Sequence, residues 1–587
     1  MVFYDFEVFY ADWLVVINEP SARKETVIVN DREKLRVFYN EHKDDIWVGF
    51  NNNHYDQYIL KGILLRMDPK RINDQIIVQK KDGWQISPEF NKIQMYNYDV
   101  FTARVDRGLK FFEGSMGNSI EESSVPFNIQ RKLTANELEE TIHYCRHDVE
   151  QTVEVFMERY SDFEAQMGLL KMFNLPLSDI SKTKVQLSAK ILGARKMYSW
   201  KEISDRQEYK IPIHDEFDID FPSTMRIEKY KEVVEWYQDP SNMNYEKSLD
   251  IEVAKVMHTF GWGGVHGAKE KYIENGYFIN MDVASLYPSL MIEYGLLSRS
   301  CKPEKFKTIV ETRLKYKAEK NPLQAPLKIV INGTYGASKD MNNPLFDPRQ
   351  ANRVCVYGQL LLLDLIEHLE LYCEIIQSNT DGVLVKLRAK TEEEADREYQ
   401  RIDDIAYEWE HRVRLNLEFD EYRRVIQKDV NNYIIVAADG HWKTKGAYVK
   451  KLGNLDYDLA IVNKAVIDYL VHGIPVEKTI NECDSLKEFQ MIKKISAKYQ
   501  AIYHGDDKLN EKCVRCFAST RYEDMSLTKV HQNGKSSKIE GTPRHSHIIN
   551  GDITNMKVPM WLDKEWYIRL ANERIEEFTE GMDAFDF

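Results

Sequence analysis

Residues 276–291 read GYFINMDVASLYPSLM, an apolar run with strand character that carries the chain to Asp282, followed at once by a turn and a helix start. Residues 327–340, LKIVINGTYGASKD, place Lys328, Asn332, Tyr335 and Gly336 on a helix at near four-residue spacing. Residues 374–387, EIIQSNTDGVLVKL, are two apolar strand-like runs joined by a polar tip, a hairpin that presents Asp381. Asp282 and Asp381 thus both stand at the ends of buried strands. On neighbouring strands they would make a two-carboxylate metal site, the arrangement that activates an attacking oxygen and stabilises a leaving one.

A second set of acids lies far upstream. The run FYDFEVF puts Asp5 and Glu7 two apart on a strand, so both face the same side of the pleat. Residues 49–60, GFNNNHYDQYIL, bring Asp56 after a polar turn. Thr134-Ala-Asn-Glu137 has the form of a capping box and predicts a helix to about residue 160. On that helix Tyr144 and Asp148 are four apart and share a face. Acids gathered in this way are costly unless divalent metal sits among them.

In chain order these groups read DxE, NxxxYD and YxxxD. The set resembles the three exonuclease motifs of proofreading 3′–5′ exonucleases with a DnaQ-like, RNase H-like fold. Behind them, DxxSLYPS, KxxxNGxYG and xTDG resemble motifs A, B and C of the family B DNA polymerases, and the resemblance spans residues 5 to about 450. It implies that Asp5, Glu7, Asp56 and Asp148 bind metal, with Asn51 (Asn52 in an alternative register) beside Asp56, and that Tyr144 orients the attacking water. It implies likewise that Asp282 and Asp381, with the Val283 carbonyl, hold two Mg²⁺ ions, Mn²⁺ being the alternative. Tyr287 would lie under the sugar and exclude a 2′-hydroxyl, Lys328 would contact the triphosphate, and Asn332 with Tyr335 would line the nascent base pair. Asn321-Pro322 interrupts a basic helical hairpin and sets Arg313 and Lys328 at nearly the same height, so Arg313 and Lys317 are expected to complete a cationic clamp.

The pattern has departures. Motif C usually reads DTDS, and here it is Asn379-Thr-Asp381-Gly382. The metal-binding second aspartate is kept, so the site is expected to survive with a weaker local field. Gly261-Trp-Gly-Gly264 is similar to a YxGG-type template segment without its leading tyrosine. Lys428–Tyr433 and Lys443-Thr-Lys445 match loosely a segment that grips primer DNA.

The chain has 587 residues, with 80 Lys and Arg against 94 Asp and Glu and a formal charge of −14. That length implies several domains, and 43% hydrophobic with 30% charged residues excludes a disordered or collagen-like chain. No apolar run reaches the ~18 residues of a membrane span, LLLLDLI being broken by Asp364. The acidic opening MVFYDFEVFYADW argues against a signal peptide. Seven cysteines in so long a chain do not make a disulfide framework and fit a reducing, cytoplasmic setting. Only Cys513 and Cys516 form a CxxC, with nothing nearby to complete a zinc site. Net acidity does not exclude a phosphate partner, because basic residues cluster over 301–328, 443–451 and 529–547, the last stretch being expected on duplex DNA.

The expected architecture is a multidomain α/β chain, an RNase H-like exonuclease domain followed by a right-hand polymerase of palm, fingers and thumb. Its boundaries are exonuclease 1–165, helical connector and start of palm 166–275, palm 276–295, short fingers 296–345, palm with primer grip 346–452, and thumb with tail 453–587. QIIVQK (75–80) reads as a strand, and everything from about 452 as helical and basic. The expected function is template-directed DNA synthesis from dNTPs on primer–template DNA. A 3′–5′ exonuclease would proofread single-stranded 3′ ends, in phage or mobile-element replication within the host cytoplasm. The alternatives are a synthesis-impaired polymerase acting mainly as an exonuclease, and a non-catalytic DNA-binding replication scaffold. The intervals 282–328 and 328–381 leave no room for the insertions of protein-primed phage polymerases, so protein priming and intrinsic strand displacement are not expected. With a first motif at residue 5, the amino-terminal domain of larger relatives is expected to be missing. Met582, Phe585 and Phe587 on an acidic tail are similar to clamp-binding tails and predict docking to a sliding clamp; no membrane partner is expected.

Overall fold

Val2–Val8 (β1) is buried on both faces apart from Asp5, because it runs at the centre of a five-stranded sheet in the computed structural model, which describes residues 1–101 and 107–579. Trp13–Glu19 (β2) and Lys24–Val29 (β3) extend the sheet antiparallel on one side. Ile46–Gly49 (β4) and Tyr96–Asp99 (β5) add in parallel on the other. The helices Asp56–Leu64 (α1), Leu109–Met116 (α2) and Ala135–Glu158 (α3) follow. The last starts at the expected capping box, where Glu137 reaches back to accept from the Thr134 N–H at 2.8 Å. Tyr4, Phe6, Val15, Trp47 and Ile59 belong to the core of this sheet. QIIVQK is not a strand: Pro69–Ile77 is a helix, started by the Asp68 side chain on the Lys70 N–H and by Pro69 in the first turn. Residues 1–182 form one compact unit together with 451–465 and 475–571.

Residues 183–450, with 466–474 and 572–579, form the other unit. It opens with the helices Lys184–Leu192 (α4) and Trp200–Tyr209 (α5). Then come the strands Ser248–Val253 (β6), Val256–Gly261 (β7), His266–Ala268 (β8) and Tyr272–Val283 (β9). Four helices follow, Leu286–Glu293 (α6), Pro303–Ala318 (α7), Gln324–Lys339 (α8) and Pro348–Leu369 (α9). Glu374–Asn379 (β10), Gly382–Lys386 (β11), Leu417–Asp429 (β12), Asn432–Val436 (β13) and Trp442–Lys445 (β14) complete a nine-stranded sheet. Its order, β14-β13-β12-β9-β11-β10-β8-β7-β6, sets β9 between β12 and β11. The β6–β7 hairpin corrects the reading of the connector within 166–275 as helical. SLDIEV and VMHTFG alternate between covered and open positions, and Ala254 and Lys255 turn the chain with φ of 51° and 66°. Neither residue is glycine or asparagine, so this turn carries no sequence signal.

The expectation of a helical stretch from 452 onward is also corrected. Met491–Lys494 (β15), Cys513–Ala518 and Ser546–Ile548 pair in one sheet, and four further short strands over 499–538 make another. Short strands with lysine-rich open faces look, in one dimension, like basic helix. The stretch 453–587, expected as a thumb, is shared between the units, with 475–571 folding beside 1–182. Cys513 and Cys516 are buried on one strand and three apart, so they face opposite sides and cannot share an ion.

Between them Arg515 is fully buried. Its guanidinium donates to Gln490 Oε1 at 2.9 Å and to the carbonyls of Gly551 at 2.7 Å and Asn118 at 2.6 Å, and burial pushes its pKa down to about 10. Arg515→Leu is expected to cost about 3 kcal/mol, since several buried acceptors lose a charged donor together. Denaturant unfolding measures it, and a loss under about 1 kcal/mol would mean that water satisfies those acceptors.

No helix among the described residues is long and apolar enough to cross a membrane. The tail residues Met582, Phe585 and Phe587 lie outside the described residues.

Candidate active sites

In the first unit the upstream acids converge. β1 carries Asp5 and Glu7, α3 carries Tyr144 and Asp148, and α1 begins at Asp56. Asp5, Glu7 and Asp148 each offer an oxygen, and these atoms all lie within 4.8 Å of one another. The Phe6 N–H donates to Asp56 Oδ1 at 3.1 Å, tying that carboxylate to β1. Burial holds all four carboxyls above their ordinary range. Asp5 and Glu7 lie far above it, and neighbouring carboxylates add to the effect. Asp56 is held at about 7 against the pull of the Phe6 N–H, and Asp148 at about 6 against the pull of Lys110. The two asparagines divide. Asn52 is buried and donates to Asn97 Oδ1 at 3.0 Å, whereas Asn51 is exposed in a left-handed turn (φ 62°) with its N–H on Asp99 at 2.8 Å.

Two members of this site were missed from sequence. α2 brings in Lys110, whose ammonium bonds Asp148 and Glu113 and stands 4.5 Å from the centre of the Tyr144 ring. Burial works against that charge, yet Asp148 and Glu113 hold the Lys110 pKa above its ordinary value. The readable signal is Lys110 with Glu113 inside the apolar run LKFFEGSM, because charges on a buried helix have to be paired. Cys145, one of the thiols read only as evidence of a reducing setting, sits against the Asp5 carbonyl at 3.3 Å. Burial, then Asp148 and Glu7, raises the Tyr144 phenol, so its hydroxyl keeps its proton as a donor.

The donor set is all oxygen and crowded with charge, which suits a hard divalent ion. Asp5, Glu7 and Asp148 would hold it, with Asp56 beside them, and it would supply Lewis-acid activation of water. With carboxyl pKa values raised from about 4 to about 7, the folded chain binds more protons than the unfolded chain across that window. Stability without metal therefore falls as pH rises from about 4 to about 7, and an added cation has to displace those protons. The rise in melting temperature on adding Mn²⁺ is expected to be larger near pH 7.5 than near pH 5, by about this linkage, and to shrink in Asp5→Ala/Glu7→Ala. Equal shifts at both values would mean that the cluster binds no ion.

In the second unit, Asp282 closes β9, and Thr380-Asp381 makes the tip between β10 and β11. β11 pairs antiparallel with β9 in a register that sets Gly382 opposite Asp282, and the Val283 N–H donates to the Asp381 carbonyl at 2.7 Å. Asp282 and Asp381 therefore meet at one end of the sheet. Asn280 Nδ2 steadies Asp282 Oδ2 at 2.7 Å. Burial, then Asp381, lifts Asp282 to about 6, and burial raises Asp381 with Lys445 opposing it. A Cβ on Gly382 would stand 1.9 Å from Asp282 Oδ1, so the carboxylate lies directly over the glycine. The 261–264 segment rests against the same tip, since a Cβ on Gly264 would meet Thr380 Oγ1 at 2.4 Å. Gln359 holds that segment through the carbonyls of Gly261 at 2.8 Å and Gly263 at 2.9 Å.

Ser285 takes a left-handed conformation (φ 52°), ending β9 and launching α6 with Tyr287 on it. The Tyr287 ring lies 4.2 Å from that of Tyr335 on α8. Lys328, Asn332, Tyr335 and Lys339 are spaced along one face of α8, and the Lys339 ammonium, not picked out from sequence, stands 4.8 Å from the Tyr335 ring. α7 and α8 pack together across the Asn321-Pro322 break. Lys317 on α7 pairs at 3.6 Å with Glu418, the residue opposite Asp282 on β12, and Arg313 Nε is buried without a hydrogen-bond partner. Lys443 is paired with Asp420 at 2.8 Å.

No family model matches the chain, and no curated protein matches it. Among solved structures it is similar to the family B DNA polymerase from the hyperthermophilic archaeon Pyrobaculum calidifontis. The match is 14% identical, covers 99% of this chain and 78% of that one, and has a TM-score of 0.41. The two acidic sites stand on their own geometry.

Proposed function

We propose that the chain is a DNA-directed DNA polymerase with a separate 3′–5′ exonuclease site, a compact replicase of a phage or mobile element. The observation that carries this reading is the β9–β11 register, which sets Gly382 opposite Asp282 and so brings the Asp282 and Asp381 of two distant motifs to one sheet end. Mg²⁺ held there by both carboxylates and the Val283 carbonyl would supply the Lewis acid for nucleotidyl transfer. Asn280 keeps Asp282 oriented. Lys328 and Lys339 present positive charge to a triphosphate along α8, Asn332 and Tyr335 face the base pair, and Tyr287 closes the sugar side. Lys317 exchanges Glu418 for phosphate when the nucleotide arrives. In the other unit, Asp5, Glu7, Asp56 and Asp148 bind the metals of hydrolysis, Tyr144 positions the water, and Lys110 balances their charge.

The test is extension of a labelled primer–template with Mg²⁺, with and without dNTPs. Lengthening with dNTPs and shortening without them is expected. Shortening under saturating dNTPs would leave a nuclease whose palm Asn379 has disabled, and no turnover with chelator-insensitive DNA binding would leave a scaffold. Tyr287→Ala is expected to raise ribonucleotide use relative to deoxyribonucleotide by about tenfold or more, the worth of one steric contact in a pocket. Unchanged sugar selectivity would remove Tyr287 from the gate.

A further inference from the structure

Trp200 opens α5 with 84% of its surface exposed, an unusual setting for a side chain that normally keeps most of its area covered. It is not on a loose segment. The Ser199 side chain accepts from the Glu202 N–H in a full capping box, the Tyr198 hydroxyl accepts from Arg299 at 3.0 Å, and the Arg195 N–H donates to the Ser300 carbonyl at 3.0 Å. Arg299 is itself fixed by Asp347 and Asp215, each at 2.7 Å. Around the indole in sequence stand Arg195, Lys196 and Lys201, all exposed, and no acidic side chain among the described residues lies within ion-pair distance of them. Met197 adds apolar surface at 39% exposure. Over 195–202 these three cations stand against Glu202 alone, whose carboxylate is held by the Ser199 N–H at 2.8 Å and hydroxyl at 2.7 Å, a net +2 around an open indole in a chain of net charge −14.

We propose that this patch, Arg195, Lys196, Trp200 and Lys201, binds single-stranded DNA by stacking an unpaired base on Trp200 and holding the adjoining phosphates with the three cations. A flat aromatic face beside several separate positive charges matches a strand that alternates bases with phosphates. An apolar protein partner would call for a covered hydrophobic surround rather than cations. α4, which leads into the patch, packs on α8 so closely that a Cβ on Gly333 would meet Ser188 Oγ at 2.7 Å. On the polymerase reading, and resting on it for this step alone, the strand held is the unpaired template ahead of the base-pair residues of α8.

The experiment is fluorescence anisotropy of a labelled oligothymidine of roughly 12 nucleotides, about one single-strand binding site, and of its blunt duplex, with EDTA present to prevent degradation. Trp200→Ala is expected to weaken single-strand binding about tenfold, whereas Trp200→Tyr, which keeps a stacking face, stays within about threefold. Lys196→Ala with Lys201→Ala should reduce the slope of log affinity against log salt by about 1.4. Duplex binding should not change. Unaltered single-strand affinity in Trp200→Ala overturns the proposal, and so does an equal loss on single strand and duplex. Unaltered affinity accompanied by a self-association that Trp200→Ala abolishes would assign the patch to a second copy of the chain. Primer extension run in parallel separates the two readings: a wild type that fails to extend removes the polymerase, while the anisotropy still decides the patch.

Discussion

Asp381→Ala is expected to abolish primer extension while the same protein still shortens single-stranded DNA from its 3′ end. The Asp381 carboxylate ends a two-residue tip whose backbone is tied to Val283, so its removal takes away a charge without unthreading the sheet. Metal-borne charge stabilisation is worth several kcal/mol, and at about 1.4 kcal/mol per decade the loss is about 10³-fold or more. Asp5→Ala with Glu7→Ala should give the reverse, extension kept and degradation lost, because those acids belong to the other unit. Loss of both activities in either variant would mean that one site serves both reactions.

Gly382→Ala carries the second large effect. The added methyl would fall 1.9 Å from Asp282 Oδ1, and the nearest backbone atom, the Met281 carbonyl, is 3.0 Å away. The movable carboxylate gives way rather than the strand. Displacing a catalytic carboxylate by about 1 Å costs on the order of 10²-fold in rate, so synthesis should drop by about that factor while the melting temperature holds. A melting temperature lowered along with the rate would place the strain in the sheet. Full activity would show that Asp282 works from another rotamer.

Short-range geometry made the shared faces legible: two apart on a strand for Asp5 with Glu7, four apart on a helix for Tyr144 with Asp148, the tip of a hairpin for Asp381. Spacing alone would leave each an ordinary acid, and it is the resemblance to the exonuclease and polymerase motifs that singles them out. Lys110 left only a local trace, its pairing with Glu113 inside an apolar helix, because the partner that gives it a role, Asp148, lies 38 residues away. The β6–β7 turn was hidden because Ala254 and Lys255 adopt positive φ without the residues that usually announce it. The strands beyond 490 were hidden by their lysines, which advertise solvent but leave the period undecided. Arg515 has a sequence environment, CVRCF, that reads as a buried strand with one misplaced charge, and only its distant carbonyl partners make sense of it.

Those partners also set an order of assembly. Arg515 meets the carbonyls of Gly114 and Asn118 across 401 and 397 residues of chain. At roughly 5–20 residues per second of translation, about 20–80 s separate the emergence of the two halves of that contact. During this interval residues 183–450 emerge in full, so the unit that begins the chain is among the last parts of it to close. In a nascent chain that ends before residue 515, the Gly114 and Asn118 carbonyls still lack the guanidinium that joins them.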